Sequence, residues 1–292
     1  MESFANDPPL IFITGQTASG KSDLGMDLAR RYGGEIVCVD SRTIYRGMDI
    51  GTAKPSGADR AAIPHHLLDI AEVNHPLTVH EFKLLADEAI AAIIARGKLP
   101  IVVGGAGLYS DAVLYGFEFA GPPDPERRAS LSRLSVLELR QICEDRGIPL
   151  PLNEYNPRHL IRHIETHGQM GRAGIGYKNA LTLGIEVAPD TLKSRIQERV
   201  RRMIEQGLPA EVRTLVETYG WSDILLHTIG YREFYPEFGD TPEKMQEIVR
   251  LIIQGTQQLA KRQKTWFKRN KNIRWISNSA EAVELATTYL NK

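Results

Sequence analysis

The amino-acid sequence predicts an α/β fold: a parallel sheet flanked by helices and interrupted by a helical insertion. Three observations carry this. Short β-branched runs alternate with helix-patterned stretches through the first hundred residues, as parallel strands joined by crossovers require. A Gly-rich loop separates the first such run from the first helical stretch. After Gly116 the strand pattern stops, and helical patterns run on to about Gly168.

Leu10 to Ile13 forms an apolar strand that runs into Gly15–Gly20, and the helical pattern behind it extends to Arg31 before Gly33-Gly34 breaks it. Glu35 to Asp40 (EIVCVD) reads as a strand buried on both faces. Phe82, Leu85, Ala86, Ala89 and Ile93 share one helix face, Gly97 stops that helix, and Leu99 to Val103 is a third strand. The Gly121-Pro122-Pro123-Asp124-Pro125 stretch reads as a hinge into an insertion spanning about 122–180. Within it, Ser135 and Glu138 make a capping-box pair, and Asn156-Pro157 supplies a cap and a first-turn proline. The chain re-enters the core through a strand at Thr182 to Val187. Helices follow at about 190–206, 208–218 and 241–269, then a strand at Ile273 to Ser277 and a closing helix to Leu290. Core domain 1–121 plus 181–292 and insertion 122–180 are therefore expected.

Composition narrows the function classes. The 292 residues exceed the roughly 250 at which one core usually stops growing. Lys plus Arg (36) balance Asp plus Glu (36), so any basic surface must be local. Two distant cysteines exclude a disulfide scaffold and a zinc ribbon. The polar start lacks an apolar signal core, and the longest purely apolar run, Ala89 to Ala95, is far short of a bilayer span. A cytoplasmic protein with no membrane partner is expected.

Gly15-Gln16-Thr17-Ala18-Ser19-Gly20-Lys21-Ser22 matches G-x-x-x-x-G-K-[ST] in full, between a strand and a helix start. Such a loop turns backbone N–H groups and a helix dipole toward an anion; Lys21 adds a point charge and the Ser22 hydroxyl is placed to hold Mg²⁺. The expected core is therefore P-loop NTPase-like, with the nucleotide- and ATP-binding association such loops usually carry. The motif specifies a phosphate or diphosphate and no particular reaction. Asp40, ending the second strand, projects at the carboxyl edge of the sheet beside this loop. From position alone it is equally a Mg²⁺ ligand or a strand-end cap.

The segments GQTASGKS, VDSRTIYRGMDIGTAKP, HHLLDI, VVGGAGLY, HTIGYRE and AKRQKTW occur in the order and spacing of the tRNA dimethylallyltransferases, also called tRNA isopentenyltransferases, which the chain resembles over about residues 8–290. The resemblance implies transfer of a dimethylallyl group from dimethylallyl diphosphate to the exocyclic amine of the adenine 3′ of the tRNA anticodon. It implies that Asp40 is the catalytic carboxylate, that Gly15 to Ser22 bind diphosphate, and that Arg199 is a second essential residue reaching the diphosphate from outside the loop. Arg195, Arg199 and Arg202 share one face of a helix. The matched tRNA-contact positions are Asp40, Ser41, Arg42 and Thr43; Ala106; Arg158, His159, Leu160, Ile161 and Arg162; and His227, Thr228, Ile229, Gly230, Tyr231 and Arg232. Partners are thus a tRNA anticodon loop and dimethylallyl diphosphate, with Mg²⁺ as cofactor and a monomer as the expected state. The target base would have to leave its stack.

The window Lys261 to Arg274 holds seven basic and no acidic residues, interleaved with Trp266 and Phe267 and followed by Trp275, and reads beside these motifs as an RNA platform. The sequence departs from the family at Gln16, usually proline; Thr43, often glutamine; Ala106, usually threonine; and the loop His167 to Arg172. His159, His163 and His167 recur every four residues, a spacing that admits metal ligands, although RNA contact suits His159 better. His65-His66 read as packing and hydrogen-bonding residues. Other readings are an adenylate dimethylallyltransferase acting on free AMP, ADP or ATP, a P-loop small-molecule kinase, and a paralogue that only binds RNA. The insertion and basic tail weigh against the first of these, because a free nucleotide needs neither.

Overall fold

The computed structural model describes residues 8–120, 124–169 and 174–291. Six parallel strands form one sheet in the order β3-β2-β4-β1-β5-β6. They are β1 (Leu10–Gly15), β2 (Gly34–Val39), β3 (His65–His66), β4 (Leu99–Gly104), β5 (Ala180–Ile185) and β6 (Arg274–Ile276). The helices of the first half are α1 (Lys21–Tyr32), α2 (Gly57–Ala62), α3 (Val79–Ala95) and α4 (Gly107–Leu114). Later helices of the same unit are α8 (Pro189–Glu205), α9 (Leu208–Tyr219), α10 (Asp223–Leu226), α11 (Pro242–Phe267) and α12 (Ser279–Leu290). β1 and β2 are buried throughout, as their uninterrupted apolar runs demand of central parallel strands. Ile11, Ile13, Leu28, Ile36 and Ile101 form the centre of the core between sheet and helices.

The five expected strands are present with bounds shifted by a residue or two, and one further strand, β3, was not anticipated. β3 is only two residues long and carries no apolar period; its backbone pairs with Ile36 and Val37. His66 Nε2 lies 2.7 Å from Glu35 Oε2, and Arg96 holds the same carboxylate at 2.6 Å, so the two histidines play the packing and hydrogen-bonding part expected of them. No helix among the described residues is long and apolar enough to cross a membrane.

The chain divides into two compact units, 1–114 with 177–292 and 115–176. The division falls earlier than 122 and 180 because Tyr177 belongs with the sheet: its hydroxyl donates to Asp87 and its backbone N–H to Leu114 O. The second unit contains α5 (Pro125–Leu131), α6 (Val136–Asp145) and α7 (Pro157–Glu165). Its helices start where the sequence says they should. Ser135 and Glu138 cap each other reciprocally, and Asn156 Oδ1 accepts from Arg158 N at 3.0 Å. Leu139, Cys143, Leu160, Ile161 and Ile164 form its own apolar core. Of the expected hinge, Gly121 to Pro123 lie outside the described residues, as do Met170 to Arg172 of the altered loop.

Candidate active site

The carboxyl edge of the sheet opens into a cleft of about 1880 Å³ lined by the phosphate loop, residues 40–43 and 49–57, Ala106, α8, residues 227–229 and part of α11. The loop leaves β1 at Gly15 and enters α1 through Gly20, whose φ of 96° belongs to the left-handed region where glycine avoids a Cβ penalty. Gln16 is buried, and its side-chain amide donates to Ala260 O at 3.1 Å, tying the loop to α11. Lys21 Nζ donates to Gln16 O at 2.6 Å, and burial lowers its pKa to about 8, with the Arg199 charge adding to the depression and Asp40 opposing it. Arg199 NH1 reaches Thr17 Oγ1 at 3.3 Å and Arg195 NH1 reaches Ser19 O at 3.2 Å, so Arg195 also contacts the loop rather than only solvent. Arg202 stays exposed beside Glu198. Desolvation pulls the Arg199 pKa down, opposed by Asp40.

Asp40 does cap its strand end. Oδ1 accepts from the N–H groups of Arg42 (2.7 Å) and Thr43 (3.4 Å), an Asx-type turn that fixes the carboxyl direction. The cap and a chemical role coexist, because a carboxylate has a second oxygen. Thr43 Oγ1 and Ser19 Oγ are buried without a partner among the described residues, two hydroxyls unused by the protein in the wall of the cleft.

Within the late AKRQKTW stretch, two side chains tie neighbouring elements together. Gln263 Oε1 accepts from Thr17 N at 2.7 Å, and its amide donates to Gly105 O at 2.8 Å, bridging the phosphate loop to the end of β4. Trp266 lies over Gly107, where a Cβ would meet the ring at 2.6 Å, and its indole donates to Asp111 at 2.8 Å. Phe267 is buried, and Trp275 covers Gly184. Phe267 is withdrawn into the core, while Trp266 and Trp275 are half-buried against these glycines. Arg262 and Lys264 alone of the window's basic residues line the cleft.

Other expected contact residues separate into two groups. Ser41, Arg42, Thr43, Ala106, His227, Thr228, Ile229 and Arg232 line the cleft. Tyr231 is wholly buried with its hydroxyl on Glu211, and Gly230 N–H is taken by Glu233 at 2.8 Å. In the insertion, Leu160 and Ile161 are core residues, because the polar face of α7 carries Arg158 and His159 outward. Arg162 pairs with Glu165, and His163 is buried with Nδ1 3.0 Å from Pro149 O. No cluster of three metal-ligating side chains occurs among the described residues, so the histidine series holds no metal site there.

Sequence reading missed three residues that shape the cleft. The Lys54 ammonium is buried against Asp49 (2.6 Å), Asp69 (2.5 Å) and Tyr45 O (2.8 Å), while Arg60 holds the other Asp69 oxygen. Glu211 and Gln263 anchor neighbouring loops. Lys54 and Asp69 stand inside the quoted motifs GTAKP and HHLLDI, which was the available signal; Glu211 stands outside every motif. For Mg²⁺, the donor set is one exposed hydroxyl, Ser22, with the Asp40 carboxylate at the end of β2 lining the same cleft. This suits a hard cation that keeps waters and takes its other oxygens from a bound diphosphate.

Fold and cleft together define a P-loop α/β protein with a helical insertion, in which Lys21, Arg195, Arg199 and the Asp40 carboxylate gather at the phosphate loop. The IPP transferase family pattern matches residues 43–270, and the chain belongs to that family. It is 38% identical over 98% of its length to a tRNA dimethylallyltransferase of Pelotomaculum thermopropionicum, covering 96% of that protein. It superposes with a TM-score of 0.74 on the tRNA isopentenylpyrophosphate transferase of Bacillus halodurans, at 30% identity and 97% coverage of both chains. A eukaryotic dimethylallyltransferase acting on tRNA shares the fold, with a TM-score of 0.78 at 24% identity over 92% of this chain and 73% of that one.

Proposed function

We propose that this enzyme transfers the dimethylallyl group of dimethylallyl diphosphate to the exocyclic amine of the adenine 3′ of the anticodon in tRNA, releasing diphosphate. The observation that carries the reading is the meeting of Lys21, Arg199 and Asp40 at the phosphate loop, where the Asp40 charge opposes the desolvation of both cations. The relatives named tRNA dimethylallyltransferase support tRNA as the acceptor. The amine nitrogen attacks C1 of the dimethylallyl group, the C1–O bond breaks, and its electron pair leaves with the diphosphate. Asp40 takes the amine proton, its direction already set by the 41–43 turn. Lys21, the loop N–H groups and Arg199 face the oxygen where charge develops. Ser22 would hold Mg²⁺ against the diphosphate, and the ion would supply further neutralisation of the leaving group.

In this reading Arg42, Thr43, Ala106, His227 and Arg232 receive the extruded nucleotide, and Arg158 and His159 of the insertion contact tRNA. Ala106 supplies no hydroxyl there. The test is transfer of labelled dimethylallyl, with Mg²⁺, to unmodified tRNA and in parallel to AMP. Label on tRNA alone is the expected outcome. Label on AMP would move the enzyme to free nucleotides, and no label on either with tRNA still bound would leave an RNA-binding protein.

A further inference from the structure

Residues 49–52, which join the catalytic-strand loop to α2, have no helix or strand to satisfy their backbone, yet every anchor they use is specific. Glu211 Oε2 accepts from Asp49 N (3.0 Å) and Ile50 N (2.7 Å), and Oε1 accepts from Gly51 N (3.0 Å) and the Tyr231 hydroxyl (2.7 Å). Four donors fill the acceptor capacity of one carboxylate. Gly51 lies so close beneath Tyr231 that a Cβ would meet the ring at 2.5 Å. On the same segment the Thr52 carbonyl accepts from Arg199 NH2 at 3.1 Å, while Arg199 NH1 is on Thr17. A long guanidinium side chain has many rotamers, and two fixed acceptors select one of them.

We propose that Glu211 is a positioning residue for the diphosphate end of the reaction: it fixes the Asp49–Thr52 backbone so that the Thr52 carbonyl holds Arg199 against the phosphate loop. The inference rests on the transfer reaction proposed above. Glu211→Gln puts an NH₂ where two donors now find an oxygen, loosening the segment without changing side-chain volume. Arg199→Lys removes the planar fork that spans Thr17 and Thr52, so nothing remains for Glu211 to orient.

The experiment is a binding cycle with inorganic diphosphate and Mg²⁺, measured by calorimetry on the full chain, its two single variants and the double variant. Glu211→Gln should weaken diphosphate binding about tenfold in the parent and less than about twofold in the Arg199→Lys background, the coupling expected of residues acting through one another. Equal losses in both backgrounds, or no loss in the parent, overturn the proposal, since a merely structural glutamate would act independently of Arg199. If Glu211→Gln does not fold, Gly51→Ala displaces the same segment from the Tyr231 side, and its effect should be coupled to Arg199 in the same way; additivity there also overturns it. A parent protein that transfers nothing overturns the reaction reading, whereas the binding cycle needs no turnover and still decides the role of Glu211.

Discussion

Lys21 is the residue through which pH should act first. Its ammonium is depressed to about 8 by burial, so in the free protein it loses its charge as pH rises through that value. Diphosphate binding needs the charged form, so affinity for inorganic diphosphate should fall as pH climbs past about 8, and Lys21→Arg should remove that inflection; calorimetry across pH 6.5–9.5 checks it. The stability term has the opposite sign. The unfolded chain binds the Lys21 proton more tightly, so the contribution of Lys21 to stability rises between about 8 and its ordinary value. Asp40→Ala should lower transfer by about 10²–10⁴-fold, the usual share of a positioned base, with tRNA affinity kept. Single-turnover rates and filter binding measured side by side test that pair. Asp40, Lys21 and Arg199 were readable because their motifs have mechanisms at fixed spacing. Glu211 was not, since a glutamate on an ordinary amphipathic helix becomes informative only when a distant loop folds onto it.

At the scale of elements, α11 shapes the site from 155 to 246 residues away. Gly107→Ala should cost about 1–3 kcal/mol of unfolding free energy by driving a methyl into the Trp266 ring, measured by denaturant unfolding. On α7 the two faces should separate cleanly. Leu160→Ala should cost about 2–5 kcal/mol because it opens a cavity in the insertion core, whereas Arg158→Ala, exposed at the start of the helix, should weaken tRNA binding with stability unchanged. Matched motif positions do not distinguish these cases; the helical period does, since Leu160, Ile161 and Ile164 face the core and Arg158 does not. β3 escaped the sequence reading because two histidines show no period at all. β1, β2 and β4 were plain because a strand buried on both faces must be apolar throughout.

For the whole molecule, charge balance conceals a local field. The net charge is zero, yet ten Lys and Arg against six Asp and Glu line one cleft, Arg42, Arg195, Arg199, Arg232 and Arg262 among the cations. tRNA affinity should fall linearly with salt on logarithmic axes, with a slope of roughly 0.7–0.9 per phosphate neutralised. Reversing Arg262 and Lys264 together should flatten that slope, and an unchanged slope would remove α11 from the RNA path. The Phe267 ring, buried in the core, should contribute nothing to base stacking.

Local chemistry was enough for the sequence alone to determine the parallel α/β core, the phosphate loop, the helix caps of the insertion and the acidic strand end. Each depends on residues within one turn or one strand of each other. Only the tertiary structure decided which matched positions face the cleft, where the two units divide, and how Gln16, Gln263, Lys54 and Glu211 hold the loops. Except at Lys54, those contacts join residues tens to hundreds apart, and a hydrogen bond between distant segments leaves no periodicity in either.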